Sequence, residues 1–196
     1  MAGALTLYFA PGSSSMAVHI ALHEVGAAFE ARPVSLATKQ THTPEFRALN
    51  PAAQVPTLLI DGRVLTEVAG ILYYLARRYP EAGLFPHGDI EAEAQVVSWM
   101  SFLASNVHIA RRSGDEAGYA AFALAEARLG ARDWAAGEAY SIADIHLFRL
   151  FWRFGNNLKR GEADFPNLTR HYERMMARPA VIATFAAERD VGYELL

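Results

Sequence analysis

Residues 50–67, NPAAQVPTLLIDGRVLTE, decide the fold of the first part of this chain. Within them, residues 58–60 (LLI) form an apolar run of strand length, and Asp61-Gly62 is a strong signal for a tight hairpin turn. Val64-Leu65 begins a second strand after that turn. We therefore predict an antiparallel hairpin that begins after Val55-Pro56 and closes at Glu67.

Both ends of this hairpin carry groups that suit a ligand. Proline lacks a backbone N–H and forces the preceding residue into an extended conformation, so Val55 is expected to be extended at the mouth of the strand. We predict a cis Val55-Pro56 peptide, with the N–H and C=O of Val55 turned away from the sheet and able to pair with an extended peptide ligand. The Glu67 carboxylate can hold an ammonium group. From the residues alone, the alternative is an ordinary edge hairpin with a solvated glutamate.

The motif QVPTL followed by DGRVLTE resembles the glutathione-binding half of the glutathione S-transferase superfamily. The resemblance implies that Val55, before a cis Pro56, pairs with the cysteinyl backbone of glutathione, and that Glu67 binds the γ-glutamyl amine. It assigns Gln54 to the same set. Val68 stands where many relatives have a serine, so only its backbone N–H is expected to hold the γ-glutamyl carboxylate.

The segments before and after the hairpin complete an α/β pattern. Residues 5–9 (LTLYF) have strand propensity, the serines at 13–15 precede a helical pattern that ends near Gly26, and residues 29–36 form a second strand. Residues 37–47 are expected to be a polar loop, and a helix after Glu67 is expected to stop at Tyr79-Pro80. This order matches a thioredoxin-like domain, with a parallel strand pair joined by a crossover helix.

The remainder of the chain is predicted to be all-helical. We divide it into a thioredoxin-like domain (1–80), a Gly/Pro-containing linker (81–89) and a helical domain (90–196). One helix spans residues 90–112 and another 115–130, with Gly114 between them. Ser141 and Asp144 form a capping-box variant at the start of a further helix. The stretch YSIADI and the later FPNL and ARPAV also resemble the second domain of glutathione transferases.

Composition excludes several classes of function. The 196 residues include no cysteine, so disulfides, thiolate metal sites and a cysteine nucleophile are excluded. The net charge is −3 without a basic stripe, so neither nucleic acid nor an anionic membrane is an expected partner. We find no signal peptide, and no apolar run approaches the ~20 residues of a membrane span, so we expect a cytoplasmic location. His19 and His23 lie one turn apart without an evident third ligand, and no metal is expected.

The run YFAPGSSSMAVHIAL resembles the bacterial beta class of the superfamily. Aligned on Pro11-Gly12, Ser14 occupies the position of that class's reactive cysteine, Tyr8 matches its tyrosine, and His108 matches a histidine that faces the sulfur from the second domain. A helix N-terminus also favours a thiolate. From the residues alone, a helix cap is the favoured interpretation of Ser14 and a packed histidine that of His108, and Tyr8 is compatible with a core position.

Other matches to the beta class are partial. Lys39 falls where that class has a lysine for the glycyl carboxylate, although a solvated loop lysine is the favoured interpretation. Ser105 falls at a small hydroxyl position before the histidine, and Ser101 falls where an asparagine often reaches across the dimer. Arg111-Arg112 is interpreted as a solvated helix end.

The resemblance implies a bacterial, homodimeric transferase of detoxification that conjugates glutathione, as co-substrate, to a small hydrophobic electrophile. Two alternatives remain open: a non-catalytic glutathione-binding protein of the same fold, and a glutathione-dependent reductase that uses two glutathione molecules. The electrophile is not readable from the sequence beyond its apolar character.

Overall fold

The computed structural model describes residues 4–158 and 164–193, with side chains as far as Asn156 in the first range. Its regular elements are, in chain order, β1 (Leu5–Phe9), α1 (Ser15–Glu24), β2 (Phe29–Pro33), α2 (Pro44–Leu49), β3 (Thr57–Ile60), β4 (Arg63–Thr66), α3 (Val68–Arg78), α4 (Ile90–Phe102), α5 (His108–Ser113), α6 (Asp115–Leu129), α7 (Ile142–Leu158), α8 (Pro166–Met176) and α9 (Pro179–Val191). They form two compact units, Met1–Arg78 with Pro179–Leu196, and Tyr79–Arg178.

The first unit is built on a four-stranded sheet of order β2-β1-β3-β4. β1 runs parallel to β2, whereas β3 is antiparallel to both β1 and β4. Leu5, Leu7 and Phe9 alternate with partly exposed residues along β1 and are buried, as expected for a strand with one face on the core. α1 packs against β1, α3 and α9. The thioredoxin-like domain predicted from the sequence is therefore confirmed.

Residues 37–47 contain a helix that the sequence analysis missed. α2 begins at Pro44, where the Oγ1 of Thr43 accepts a hydrogen bond from the N–H of Phe46 at 3.3 Å. Threonine before proline is a favourable helix start, because the hydroxyl satisfies a free N–H and proline has none to satisfy. The helix turns Phe46 into the core, where only 5% of its surface is exposed.

The second unit consists of helices in its described part. The predicted helix over 90–112 is interrupted: α4 ends at Phe102, a π-helical turn spans Leu103–Val107, and α5 follows. The predicted capping box at α7 is confirmed, with the Ser141 N–H donating to Asp144 Oδ2 at 2.8 Å. None of the described helices is long and apolar enough to cross a membrane.

The division into units differs from the predicted boundaries at both ends of the helical part. The first unit ends at Arg78, and the segment predicted as a linker belongs to the second unit. Leu84 and Phe85 are buried there, and the N–H of Ile142 donates to the Leu84 carbonyl at 2.9 Å. α9 belongs to the first unit because it packs against α1.

Candidate functional site

The turn between β1 and α1 contains three serines with different roles. Ser15 is fully buried, and its hydroxyl bonds to both the N–H and the C=O of Ala10 at 3.1 Å. The Ser13 hydroxyl lies 2.8 Å from Ser15 Oγ and accepts from the Ser15 N–H. Ser14 is half-buried at the start of α1, and its hydroxyl has no hydrogen-bond partner among residues 4–158 and 164–193. Ser14 is therefore the serine of this turn whose hydroxyl is available to a ligand.

The last helix holds this turn in place. Glu188 on α9 is completely buried, and its Oε2 accepts a hydrogen bond from the Gly12 N–H at 2.7 Å. Its Oε1 lies 3.2 Å from Nδ1 of the buried His19 on α1. The sequence gives no sign of this contact, because a single glutamate in an amphipathic helix reads as a solvated residue.

The hydroxyl of Tyr8 is already engaged. It accepts a hydrogen bond from Nη1 of Arg32 at 2.9 Å, and Glu30 in turn binds Arg32. The Tyr8 ring packs edge-on against Phe46, with centroids 5.7 Å apart. Tyr8 is thus a member of a polar cluster on β1 and β2, in contrast to the unpartnered Ser14.

The loop before β3 is braced by a buried asparagine that the sequence analysis did not single out. Asn50 Nδ2 donates to the Gln54 carbonyl at 2.9 Å and to Thr57 Oγ1 at 3.0 Å, while its Oδ1 accepts from the Ala52 N–H. The Val55–Pro56 peptide is cis, as predicted. The N–H and C=O of Val55 form no hydrogen bond within the described part of the chain.

Glu67 has the backbone geometry of a constrained position. Its φ is +68°, in the left-handed region that non-glycine residues rarely adopt and that often marks a functional site. Its side chain is exposed and has no partner among the residues described. Val68 begins α3, so its backbone N–H has no acceptor inside the helix.

The sheet register gathers these groups at one end. Tyr8 pairs with Thr57, and Thr57 pairs with Thr66, so one row crosses three strands. The turn that carries Ser14 follows β1, Val55 precedes β3, and Glu67 follows β4, all beyond this row. Gln54 and Lys39 are exposed, and Lys39 has a φ of +58° in the loop after β2.

The remaining candidates lie on one stretch of the helical unit. Ser101 is the penultimate residue of α4, Ser105 lies in the π-helical turn, and His108 begins α5. The Ser105 hydroxyl donates back to the Ser101 carbonyl at 2.8 Å. Burial, followed by the charges of nearby arginines, lowers the pKa of His108 to about 4, so it is neutral near pH 7. Interruptions of the α-helix by a π turn frequently occur at functional sites.

Comparison with known proteins agrees with this architecture. A family model described as the N-terminal domain of glutathione S-transferase matches residues 3–77, and one described as the C-terminal domain matches residues 96–179. A glutathione S-transferase of Xanthomonas campestris is 29% identical over 94% of this chain and 98% of its own.

Two solved structures resemble the whole chain. A glutathione transferase homologue from Sulfitobacter with bound glutathione is 32% identical, with a TM-score of 0.86, over 96% of this chain and 98% of its own. A beta-class glutathione S-transferase of Sphingomonas chungbukensis is 35% identical, with a TM-score of 0.81, over 93% of this chain and 98% of its own.

A thioredoxin-like domain with polar groups gathered at one sheet end, followed by a helical part, is the architecture of the glutathione transferase structures that this chain resembles. This chain belongs to the glutathione S-transferase family. Among the described residues, no group of three or more histidines and carboxylates could hold a metal ion.

Proposed function

We propose that this chain binds glutathione at the end of the sheet in the first unit and transfers its thiolate to a small electrophile. The observation that carries the proposal is the unpartnered Ser14 hydroxyl at the N-terminus of α1. The hydroxyl would donate a hydrogen bond to the glutathione sulfur, and the helix N-terminus would favour its negative charge. The neighbouring Ser13 and Ser15 are occupied in holding the turn.

The peptide part of glutathione would be held by the two ends of the β3–β4 hairpin. The unpaired N–H and C=O of Val55 are available for pairing with the cysteinyl backbone. The Glu67 carboxylate would bind the γ-glutamyl amine, and the Val68 N–H would donate a hydrogen bond to the γ-glutamyl carboxylate. Gln54 and Lys39 are exposed and would make peripheral contacts, with Lys39 near the glycyl carboxylate.

From the resemblance to the beta class, we propose a role in the reaction for His108, which would act as a neutral imidazole because its lowered pKa keeps it unprotonated at neutral pH. Tyr8 would contribute less to sulfur than Ser14, because Tyr8 lies along β1 whereas Ser14 lies at the start of α1. On the same resemblance, we propose Ser101 and Ser105 as glutathione-binding residues. We also propose a cytoplasmic role in detoxification, where reduced glutathione is available.

We further propose a homodimer. Large apolar side chains are exposed on several elements, including Tyr73 (46%), Val97 (54%) and Ile109 (54%), and such surface is commonly covered by a partner. Sedimentation at micromolar concentration should give twice the mass of the chain, and a monomer alone would contradict the proposal.

The binding half of the proposal is tested by calorimetric titration of glutathione into the wild type and Glu67→Gln. Loss of an exposed carboxylate–ammonium pair should weaken binding about fivefold, or about 1 kcal/mol. Glu81→Gln, which changes an exposed glutamate outside the site, is the matched control and should bind like the wild type. Equal affinity for glutathione in the wild type, Glu67→Gln and Glu81→Gln would show that the Glu67 carboxylate does not bind glutathione.

The transfer half is tested with 1-chloro-2,4-dinitrobenzene as a generic electrophile. The wild type should accelerate conjugate formation well above the uncatalysed rate. Tight glutathione binding without turnover would identify a non-catalytic binding protein instead. Turnover only with a disulfide substrate and two equivalents of glutathione would identify a reductase.

A further inference from the structure

A buried network of side chains lies under the loop that carries Val55. Asn50 follows α2 directly and Thr57 begins β3, and both side chains are buried. Asn50 Nδ2 donates to the Gln54 carbonyl at 2.9 Å, and Thr57 Oγ1 donates to the same carbonyl at 3.0 Å. Asn50 Nδ2 also donates to Thr57 Oγ1 at 3.0 Å. The Gln54 carbonyl is therefore held by a pair of donors that also bind each other.

The direction of the Gln54 carbonyl determines the direction of the Val55 N–H. The two groups belong to one peptide unit, which is planar and trans. In such a unit the C=O and N–H bonds point in opposite directions. The carbonyl is directed at the buried side chains of Asn50 and Thr57, so the Val55 N–H is directed away from them. This N–H has no acceptor in the part of the chain that the structure describes.

The same loop contains a strained residue. Ala53 has a φ of +54°, in the left-handed region that alanine rarely adopts. The Ala53 N–H donates to the Asn50 carbonyl at 2.9 Å, and the Ala52 N–H donates to Asn50 Oδ1 at 3.0 Å. Strain of this kind persists where the surrounding contacts over-determine the backbone, and it is common at ligand sites. Asn50 thus fixes one geometry of the loop through its backbone carbonyl and both polar atoms of its side chain.

We propose that Asn50 and Thr57 are positioning residues that aim the Val55 N–H at the carbonyl of the thiol-bearing residue of a peptide ligand. They would thereby select thiols that carry such a carbonyl. The inference rests on the proposed function, in which the cysteinyl carbonyl of glutathione accepts this hydrogen bond. Neither side chain needs to touch the ligand, because both act through the Gln54–Val55 peptide unit. A thiol without the carbonyl would leave the Val55 N–H unpaired in the complex and would bind more weakly.

A pair of ligands tests this selection without turnover. The probes are glutathione and its isostere in which an (E)-CH=CH unit replaces the Cys–Gly amide. The isostere keeps the thiol, the length and every charge of glutathione, but it has no cysteinyl carbonyl. Calorimetric titration into the wild type should show about fivefold tighter binding of glutathione, as expected for one hydrogen bond.

Asn50→Asp removes the amide donor and keeps the shape of the side chain. It retains an acceptor for the Ala52 N–H but puts an oxygen where Nδ2 donates to the Gln54 carbonyl, so the ratio of the two affinities should fall to about one. The added charge cancels in this ratio because the two ligands are equally charged. Asn156→Asp is the matched control, since Asn156 is exposed on α7 and its Nδ2 donates to the Trp152 carbonyl at 2.8 Å. This control should keep the wild-type preference.

Thr57→Val is a second variant should the melting curve show that Asn50→Asp does not fold. It removes the other donor to the Gln54 carbonyl without a change of charge, and it should lower the preference below about twofold. A kinetic experiment extends the test to conjugation of 1-chloro-2,4-dinitrobenzene. Asn50→Asp should raise KM for glutathione about fivefold and leave kcat unchanged, because the lost hydrogen bond holds substrate and transition state equally.

The outcomes separate this inference from the proposed function. Loss of the preference in Asn50→Asp and Thr57→Val, with the preference intact in Asn156→Asp, supports the positioning role. A preference that persists in both variants, or equal binding of the two ligands by the wild type, overturns the positioning role and leaves glutathione binding in place. A wild type that binds neither ligand overturns the proposed function and this inference together. Selective binding without conjugation supports the positioning role and overturns the transfer proposal alone.

Discussion

Replacement of Ser14 by alanine removes one hydroxyl and nothing that holds the fold. The Ser14 hydroxyl makes no helix-capping hydrogen bond, whereas Ser15 bonds to both backbone groups of Ala10. Ser14→Ala should therefore leave the melting temperature unchanged. Ser15→Ala should lower the free energy of unfolding by about 2 kcal/mol, or the melting temperature by roughly 4–8 °C, because it leaves buried groups of Ala10 unpaired.

The effect of Ser14 on chemistry follows from the energy of one hydrogen bond. A bond to a charged acceptor contributes about 1.5–3 kcal/mol, which lowers the thiol pKa of bound glutathione by roughly one to two units. From a pKa of about 8.5, the thiolate fraction near pH 7 rises from about 3% to about 25–75%. Nucleophilicity falls about threefold per unit of lost basicity, so the net rate advantage near pH 7 is only about threefold.

The assay is kcat/KM for 1-chloro-2,4-dinitrobenzene at saturating glutathione from about pH 6 to pH 10, so that the profile reports the thiol of bound glutathione. In Ser14→Ala, the apparent pKa of the profile should rise by roughly one to two units. Above both pKa values, kcat/KM of Ser14→Ala should exceed that of the wild type, because a more basic thiolate is more nucleophilic. Tyr8→Phe should leave the profile in place, because Tyr8 lies along β1 and not at the start of α1. An unchanged profile in Ser14→Ala, together with a lower rate in Tyr8→Phe, would refute the assignment of Ser14.

Two further predictions concern stability. Asp144→Ala should lower the free energy of unfolding by about 3–5 kcal/mol, since Asp144 accepts from the Ala135 and Ser141 N–H groups and lies 3.0 Å from Nε2 of His171. Asp133→Ala breaks an exposed pair with Arg174 and should lower the free energy of unfolding by less than about 1 kcal/mol. Equal denaturation midpoints for Asp144→Ala and Asp133→Ala would contradict this difference. Burial lowers the pKa of His146 to about 3, so the folded chain binds fewer protons than the unfolded chain below about pH 6.5. Stability should therefore fall as pH drops from about 6.5 to 4, by about 1.4 kcal/mol per unit for His146 alone, and a slope that His146→Gln leaves unchanged would contradict this contribution.

The elements that the sequence predicted correctly are set by local signals. Asp61-Gly62 specifies the β3–β4 hairpin, Gly114 separates α5 from α6, and Ser141 with Asp144 starts α7. Each of these signals acts within four residues, so no tertiary information is needed to read it. The strand expected over 29–36 is also present, although it ends at Pro33.

The features that the sequence did not reveal depend on distant contacts or weak local preferences. α2 is only six residues long, and its Thr43-Pro44 start lies in an otherwise polar stretch. The contact of Glu188 with Gly12 joins opposite ends of the chain. The π turn at Leu103–Val107 has no distinctive composition.

The arginines of α5 and α7 illustrate the same limit in the helical unit. Arg111-Arg112 was interpreted as a solvated helix end, yet Arg111 is half-buried and its Nε is orphaned. The arginines of α7 would suit a solvated face equally well by spacing. Only the packing of the helical unit shows that they are buried. The candidate residues of the first unit were found because QVPTL, the hairpin after it and the run YFAPGSSSMAVHIAL resemble the glutathione S-transferase superfamily.

The most direct test of the account is the ionisation of glutathione bound to the wild type. Ultraviolet absorption of the thiolate, measured as a difference spectrum over about pH 5 to pH 10, reports the pKa of the bound thiol. If the first unit binds glutathione with Ser14 and the α1 N-terminus at sulfur, the midpoint should lie roughly one to two units below that of free glutathione. A midpoint equal to that of the free thiol, at saturating protein, would contradict the account.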